Sequence, residues 1–207
     1  MKHKIKEWLP REEELLARGY TVLAGLDEAG CGPLAGPVVA AAVVLKEAKL
    51  PPKLDDSKKL TAKSREAVYE QIINQCDYGV GFASHVEIDA LNIRQASRLA
   101  MERALGNLPY PPEYLLIDGI SLPFWQGKQE SFIRGDSLIA SIAAASVVAK
   151  VTRDRYMVEI ANTYPEYLFA QHKGYPTPLH YQLLLQFGPS PIHRRSFLKS
   201  YYKMIEA

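Results

Sequence analysis

Cysteine is nearly absent: Cys31 and Cys76 are the only thiols in 207 residues. Two thiols make neither a disulfide framework nor a zinc site, and this usage suits a reducing compartment. Charge of one sign is also lacking. Lys and Arg number 25 against 23 Asp and Glu, a net of +2. That is too balanced for a whole-molecule field to draw in a polyanion, so nucleic-acid binding requires local clusters. There is no repeat, no low-complexity tract, no Walker-type loop for a nucleotide and no Cys/His cluster for zinc. The longest apolar stretches, 34–45 and 138–149, fall well short of the roughly 20 residues a membrane span needs. The start, "MKHKIKEWLPREEELLARGY", is charged and lacks the apolar core of a signal peptide. A soluble, cytoplasmic protein is expected.

What is present is ordinary globular material, 47% hydrophobic and 23% charged. A chain of this length fits one domain with terminal appendages and buries roughly 70% of its unfolded surface without disulfides or structural metal. The pattern predicts a helical lead-in over residues 1–19, with the helix itself over Ile5–Arg18. A core over 20–163 and a proline-interrupted helical segment over 164–207 follow. Within the core, strands are expected at Tyr20–Asp27, Ala35–Leu45, Asp77–Ala83 and Tyr114–Gly119. A helix is expected over Thr61–Gln75, with Ala67, Val68 and Ile72 on its inner face. Another, opened by the capping box "SHVE", is expected to run to about Leu105. "SLIASIAAASVVAKVTRDRYM" reads as a long helix whose small residues allow close packing on a sheet. The order of elements indicates an α/β domain, a mixed sheet with helices on its faces.

Three acidic positions share one grammar: an apolar run, then Asp, then Gly or a turn. They are "VLAGLDEAG" with Asp27 and Glu28, "YLLIDG" with Asp118, and "SFIRGD" with Asp136. Ligands of open α/β sheets gather at strand ends, so these carboxylates could converge there. Adjacent residues on a regular strand face opposite ways. Asp27 and Glu28 can therefore both serve one site only if the backbone leaves the strand between them, which Gly30 and Gly32 make easy. Carboxylates brought together repel each other and raise each other's pKa, and hard divalent cations relieve that repulsion. The bland alternatives are a turn aspartate at Asp118 and a helix N-cap at Asp136. Pattern alone reaches as far as a metal-carboxylate enzyme.

"GLDEAGCGPLAGPVVAAAVVL", "LDDSKKLT", "LLIDG", "GDSLIASIAAASVVAKVTRDRYM", "HKGYPT" and "HRRSF", in that order from about Tyr20 to Phe197, resemble bacterial ribonuclease HII, the type 2 ribonuclease H. The resemblance implies a ribonuclease H-like fold: a five-stranded mixed sheet flanked by helices, with a helical C-terminal segment. It implies cutting of the RNA strand in RNA–DNA hybrids and, in ribonucleotide excision repair, incision 5′ of single ribonucleotides in duplex DNA. The ends left would be 3′-hydroxyl and 5′-phosphate. Asp27, Glu28, Asp118 and Asp136 would be the catalytic carboxylates and would hold two Mg2+ or Mn2+ ions. The partners implied are the hybrid and ribonucleotide-containing duplexes, met by a monomer without membrane contact.

The substrate-binding positions that carry over are Gly30, Cys31 and Gly32, then Ser57 and Lys58, then Tyr175. In the family the turn reads Gly-Arg-Gly and helps recognise the ribose 2′-hydroxyl, with backbone amides prominent. Here Cys31 stands at the arginine position and removes its charge and donors. The alternative implied is a hybrid-binding variant with impaired catalysis. Ser57 and Lys58 of "DSKKL" correspond to a phosphate-contacting loop, and Tyr175 to a tyrosine packed on a sugar. Lys150, Arg153 and Arg155 with His193, Arg194 and Arg195 could form basic tracks along a duplex, and helix-surface ion pairing accounts equally well for Arg153–Asp154–Arg155. A lone histidine such as His172 is more often structural. The tail "KSYYKMIEA" gives only weak support for a sliding-clamp contact.

Overall fold

The computed structural model describes residues 8, 10–45, 54–55, 57, 59–119 and 121–206. Five strands form one sheet: β1 (Leu23–Ala29), β2 (Val38–Val44), β3 (Asp77–Ala83), β4 (Tyr114–Asp118) and β5 (Lys128–Phe132). Their spatial order is β3-β2-β1-β4-β5, antiparallel from β3 to β1 and parallel from β1 to β5. The sheet is mixed, as the α/β reading expects. The helices are α1 (Arg11–Ala17), α2 (Ala62–Gln75), α3 (His85–Leu91), α4 (Ile93–Gly106), α5 (Ala140–Ile160), α6 (Phe169–His172), α7 (Pro178–Phe187) and α8 (Lys199–Ile205).

Every residue of β2 is buried, because helices cover both faces. Val38, Ala40, Ala42 and Val44 face the α4 side with Ala24 and Leu26 of β1. Ala41 and Val43 face α5 and α2. Alanine and glycine set the distances. A Cβ on Gly25 would come within 3 Å of the Ser141 backbone in α5. One on Gly79 or Gly81 would meet the α4 backbone in the same way. Those helices therefore ride directly on the strands, and α5 lies over β1 where the acidic pair begins.

Some boundaries differ from the pattern. The expected long helix after "SHVE" is two helices, because Asn92 turns to φ 69°. Its side chain then accepts the amides of Arg94 and Gln95 and starts α4 afresh. In α2 the buried face is Val68, Tyr69 and Ile72, while Ala67 is exposed. The lead-in helix spans only Arg11–Ala17 among the described residues. From Tyr164 onward short helices wrap back on the core, joined to it by the bridge Ala35–His193.

Candidate active site

β1 places Asp27 and Glu28 consecutively within regular strand, paired with Ala41 and Ala40 of β2. The strand continues to Ala29, so the backbone does not leave between the two acids. This corrects the sequence expectation. Asp27 continues the face of Gly25 toward α5, and Glu28 continues the face of Leu26 toward α4. The neighbourhood is completed by β4. Its parallel pairing with β1 ends at Leu26–Ile117, so the next residues in register are Asp27 and Asp118. Side chains in register on adjacent parallel strands share a face at about 4.8 Å strand spacing.

Asp27 is 4% exposed. Burial pushes its carboxyl well above the usual range, and the nearby Glu28 and Asp118 charges push it further. Hydrogen bonds from the Glu28 amide, at 2.7 Å, and from Ser146 pull the other way. The Ser146 hydroxyl also lies 2.9 Å from that of Ser57, buried at the start of the α2 approach. Asp118 accepts the Gly135 amide at 2.6 Å, which ties the segment carrying Asp136 to the end of β4. Asp136 itself is buried in a single 3-10 turn, Gly135–Ser137. It does not cap α5, whose N-cap is Ile139 with no side-chain bond. The N-cap alternative is thereby removed.

The donor chemistry, carboxylate oxygen around a buried aspartate whose neighbours are also acidic, fits a hard divalent cation. The side chains are nevertheless engaged by internal hydrogen bonds. Among the described residues no three His, Cys, Asp or Glu side chains stand gathered in a metal-holding arrangement. A cleft of about 150 Å³ beside them is lined by Glu28, Cys31, Arg94, Ser97, Arg98 and Asp118, among others. Arg94, Arg98, Ser97 and Ser146 carried no pattern that marked them in the sequence.

Cys31 is half-buried, its Sγ 3.3 Å from Glu28 Oε1 and 3.4 Å from Ser97 Oγ. Burial and the Glu28 carboxylate push its thiol up to about 12, so it is neutral and unsuited to nucleophilic attack. Gly30 adopts φ 98° at the turn, while Gly32 is exposed. Tyr175 is half-buried, with Lys150 Nζ 5.2 Å and the Arg153 guanidinium 5.5 Å from its ring. Lys58 lies outside the described residues.

A basic track through all six positions does not form, and ion pairing accounts for Arg155. Arg153 and Arg194 are fully buried and His193 is 2% exposed. Arg155 is committed to Glu66 and Glu70. Burial wins because backbone carbonyls satisfy both interior guanidiniums. The three histidines His172, His180 and His193 are buried together. His172 and His180 stack at 4.2 Å, and the Nε2 atoms of His180 and His193 are 2.9 Å apart. The tail read for a clamp contact forms α8, which buries Tyr201 and exposes Met204 and Ile205. Among the described residues no helix is long and apolar enough to cross a membrane.

The family described as Ribonuclease HII matches residues 24–200. A curated ribonuclease HII of Desulfitobacterium hafniense is 52% identical over 94% of this chain and 75% of its own. One from Caldicellulosiruptor bescii is 48% identical over 91% of this chain and 92% of its own. Among solved structures, the ribonuclease H2 of Pyrococcus horikoshii OT3 superposes with a TM-score of 0.72 at 28% identity. It covers 90% of this chain and 98% of that one.

Proposed function

The chain belongs to the ribonuclease HII family, and from that premise we propose that it cuts RNA–DNA hybrids and incises 5′ of single ribonucleotides in duplex DNA. The products are 3′-hydroxyl and 5′-phosphate ends. The reaction is assigned to the cytoplasm and to a monomer. The observation that carries this reading is the register of Asp27 beside Asp118, with Glu28 next in chain and Asp136 tethered through the Gly135 amide.

Asp27, Glu28, Asp118 and Asp136 would hold the divalent ions. Two bound magnesium or manganese ions would supply an activated water and stabilise the leaving oxygen. The chain itself does the positioning. Ser146 and the Glu28 amide fix the Asp27 carboxylate. The Gly135 amide fixes Asp118. The turn 30–32 presents the recognition surface for the ribose, and the half-buried Tyr175 ring offers a face for the adjacent sugar. Ser57, held against Ser146, supports the acidic pair from below in addition to its expected place in a phosphate-contacting loop.

The test is incision of a duplex with one ribonucleotide, beside an all-DNA duplex, with magnesium and with manganese. Asp118→Asn and Asp136→Asn are expected to lose at least about 100-fold in rate while melting as folded proteins. Full activity in either folded variant refutes the assignment. The competing reading, binding with little cutting, rests on the neutral Cys31 thiol in place of a cation. It wins if Cys31→Arg turns a poor nuclease into a strong one.

A further inference from the structure

Arg153 on α5 and Arg194 before α8 are both fully buried, and among the described residues neither forms an ion pair with a carboxylate. Instead they share six backbone carbonyls. Arg194 donates to Gly30 at 2.7 Å, Cys31 at 3.3 Å, Gly36 at 2.9 Å and Pro37 at 3.0 Å. Arg153 donates to Pro37 at 3.0 Å, Ala35 at 3.2 Å and Lys173 at 3.1 Å. Both forks thus close on Pro37, and one carries on to the residue two before Tyr175. A Cβ on Gly30 would fall within 3 Å of Arg153 Nε, and one on Gly36 within 3 Å of Met157 Sδ. The turn is moulded on the arginines.

The direction of the carbonyls has a consequence. In a trans peptide the C=O and the next N–H point opposite ways. With the Gly30 and Cys31 carbonyls turned in to Arg194, the amides of Cys31 and Gly32 point away from it. Among the described residues neither amide donates to a protein acceptor. Two successive outward amides form a concave donor site for an oxygen.

We propose that Arg194, braced by Arg153, is the positioning residue that sets this pair of donors for the ribose hydroxyl. The side chain at 31 tunes affinity without setting the preference for ribose. The inference rests on the reading of the turn as the ribose-recognising element. The two guanidiniums repel each other, and the shared backbone carbonyls, not a carboxylate, hold them in place. A carboxylate partner would take the guanidinium donors that the carbonyls use, and would add negative charge under a site meant for nucleic acid.

The experiment measures binding, in metal-free buffer, of duplexes identical except for one ribose or 2′-deoxyribose. Wild type is expected to favour ribose. Arg194→Lys loses the planar fork, and is expected to lose at least fivefold of that preference. Gly30→Ala, which alters no charge but displaces Arg153, should do the same. Cys31→Arg should tighten both duplexes alike and leave the ratio unchanged. A structural role alone would lower the melting temperature without moving the ratio. If Arg194→Lys does not fold, amide exchange of the wild type decides: the Cys31 and Gly32 amides should exchange fast in free protein and slow with the ribose duplex only. Full ribose preference in folded Arg194→Lys, or slow exchange of those amides in free protein, overturns the proposal. A wild type with no preference for ribose overturns instead the reading of the turn on which it rests.

Discussion

Acidification from pH 7 to pH 5 tests the buried histidines, whose protonation states are dictated by their hydrogen bonds. His193 Nδ1 accepts the Ser190 amide at 2.9 Å, so its proton sits on Nε2. That proton is donated to His180 Nε2, which places the His180 proton on Nδ1, facing the Tyr175 carbonyl at 2.9 Å. His172 accepts the Gly174 amide on Nδ1 and donates from Nε2 to the Tyr167 carbonyl. Every ring is neutral in one tautomer, and an added proton would set donor against donor. Burial accordingly lowers His180 to about 4 and His193 to about 3 from an ordinary 6.5, and lowers His172 as well.

The sign follows from proton uptake. Below pH 6.5 the unfolded chain binds protons that these rings refuse, so stability falls as pH falls. His180 and His193 together lose about 4 kcal/mol between pH 7 and 5, at about 1.4 kcal/mol per proton per pH unit. With a urea slope of about 2–3 kcal/mol per molar, the unfolding midpoint should drop by about 1–2 M. His193→Gln removes one titrating ring and should nearly halve that drop. Comparing the two proteins cancels Asp27, whose raised pKa works in the opposite direction. An equal pH dependence in wild type and His193→Gln would refute the tautomer chain.

Two further outcomes are expected. Asp27→Asn should abolish cutting yet melt no lower than wild type in metal-free buffer, since it removes a carboxyl disfavoured by burial and by the charges of Glu28 and Asp118. A lower melting temperature would show that the acids are not close enough to repel. Gly25→Ala forces a methyl into the Ser141 backbone, and should cost about 1–3 kcal/mol or more in urea unfolding and reduce cutting, because α5 also carries Ser146. A change below about 0.5 kcal/mol would contradict that packing.

Four of the five strands were legible: β3 falls on Asp77–Ala83 as expected, and the alanine- and valine-rich run, as a strand covered on both faces demands, contains β2. β5, an edge strand reading KQESF, has no apolar run and was not marked. Thr61 caps α2 and Ser84 closes its capping box, both local signals. The Asn92 break was hidden because a single left-handed residue leaves the apolar periodicity intact. The interior arginines were hidden for a different reason. An arginine next to Asp154, or within "HRR", reads as surface, and nothing local reveals that carbonyls 116–164 residues away will satisfy it. Buried charge is a property of the assembled fold, and its sequence signal here is indirect: the Gly-Pro-rich turn whose carbonyls need donors.

In the proposed site the acidic pair would have to serve one place from both faces of a sheet. Alternation along β1 sends Asp27 toward α5 and Glu28 toward α4, and no turn intervenes to redirect them. A shared site inside the sheet would therefore be barred by the backbone itself. It becomes available only where a neighbouring strand stops. β1 keeps its partner β2 as far as Ala29–Val39 but is last paired with β4 at Leu26–Ile117. Beyond that register β1 has no ladder partner in β4, which in the proposed site would let carboxylates from either face reach around its edge toward Asp118. In that proposal the unequal lengths of two parallel neighbours would do the work the sequence reading assigned to a backbone turn. The glycines after the pair are left with another task, shaping residues 30–36 around Arg153 and Met157.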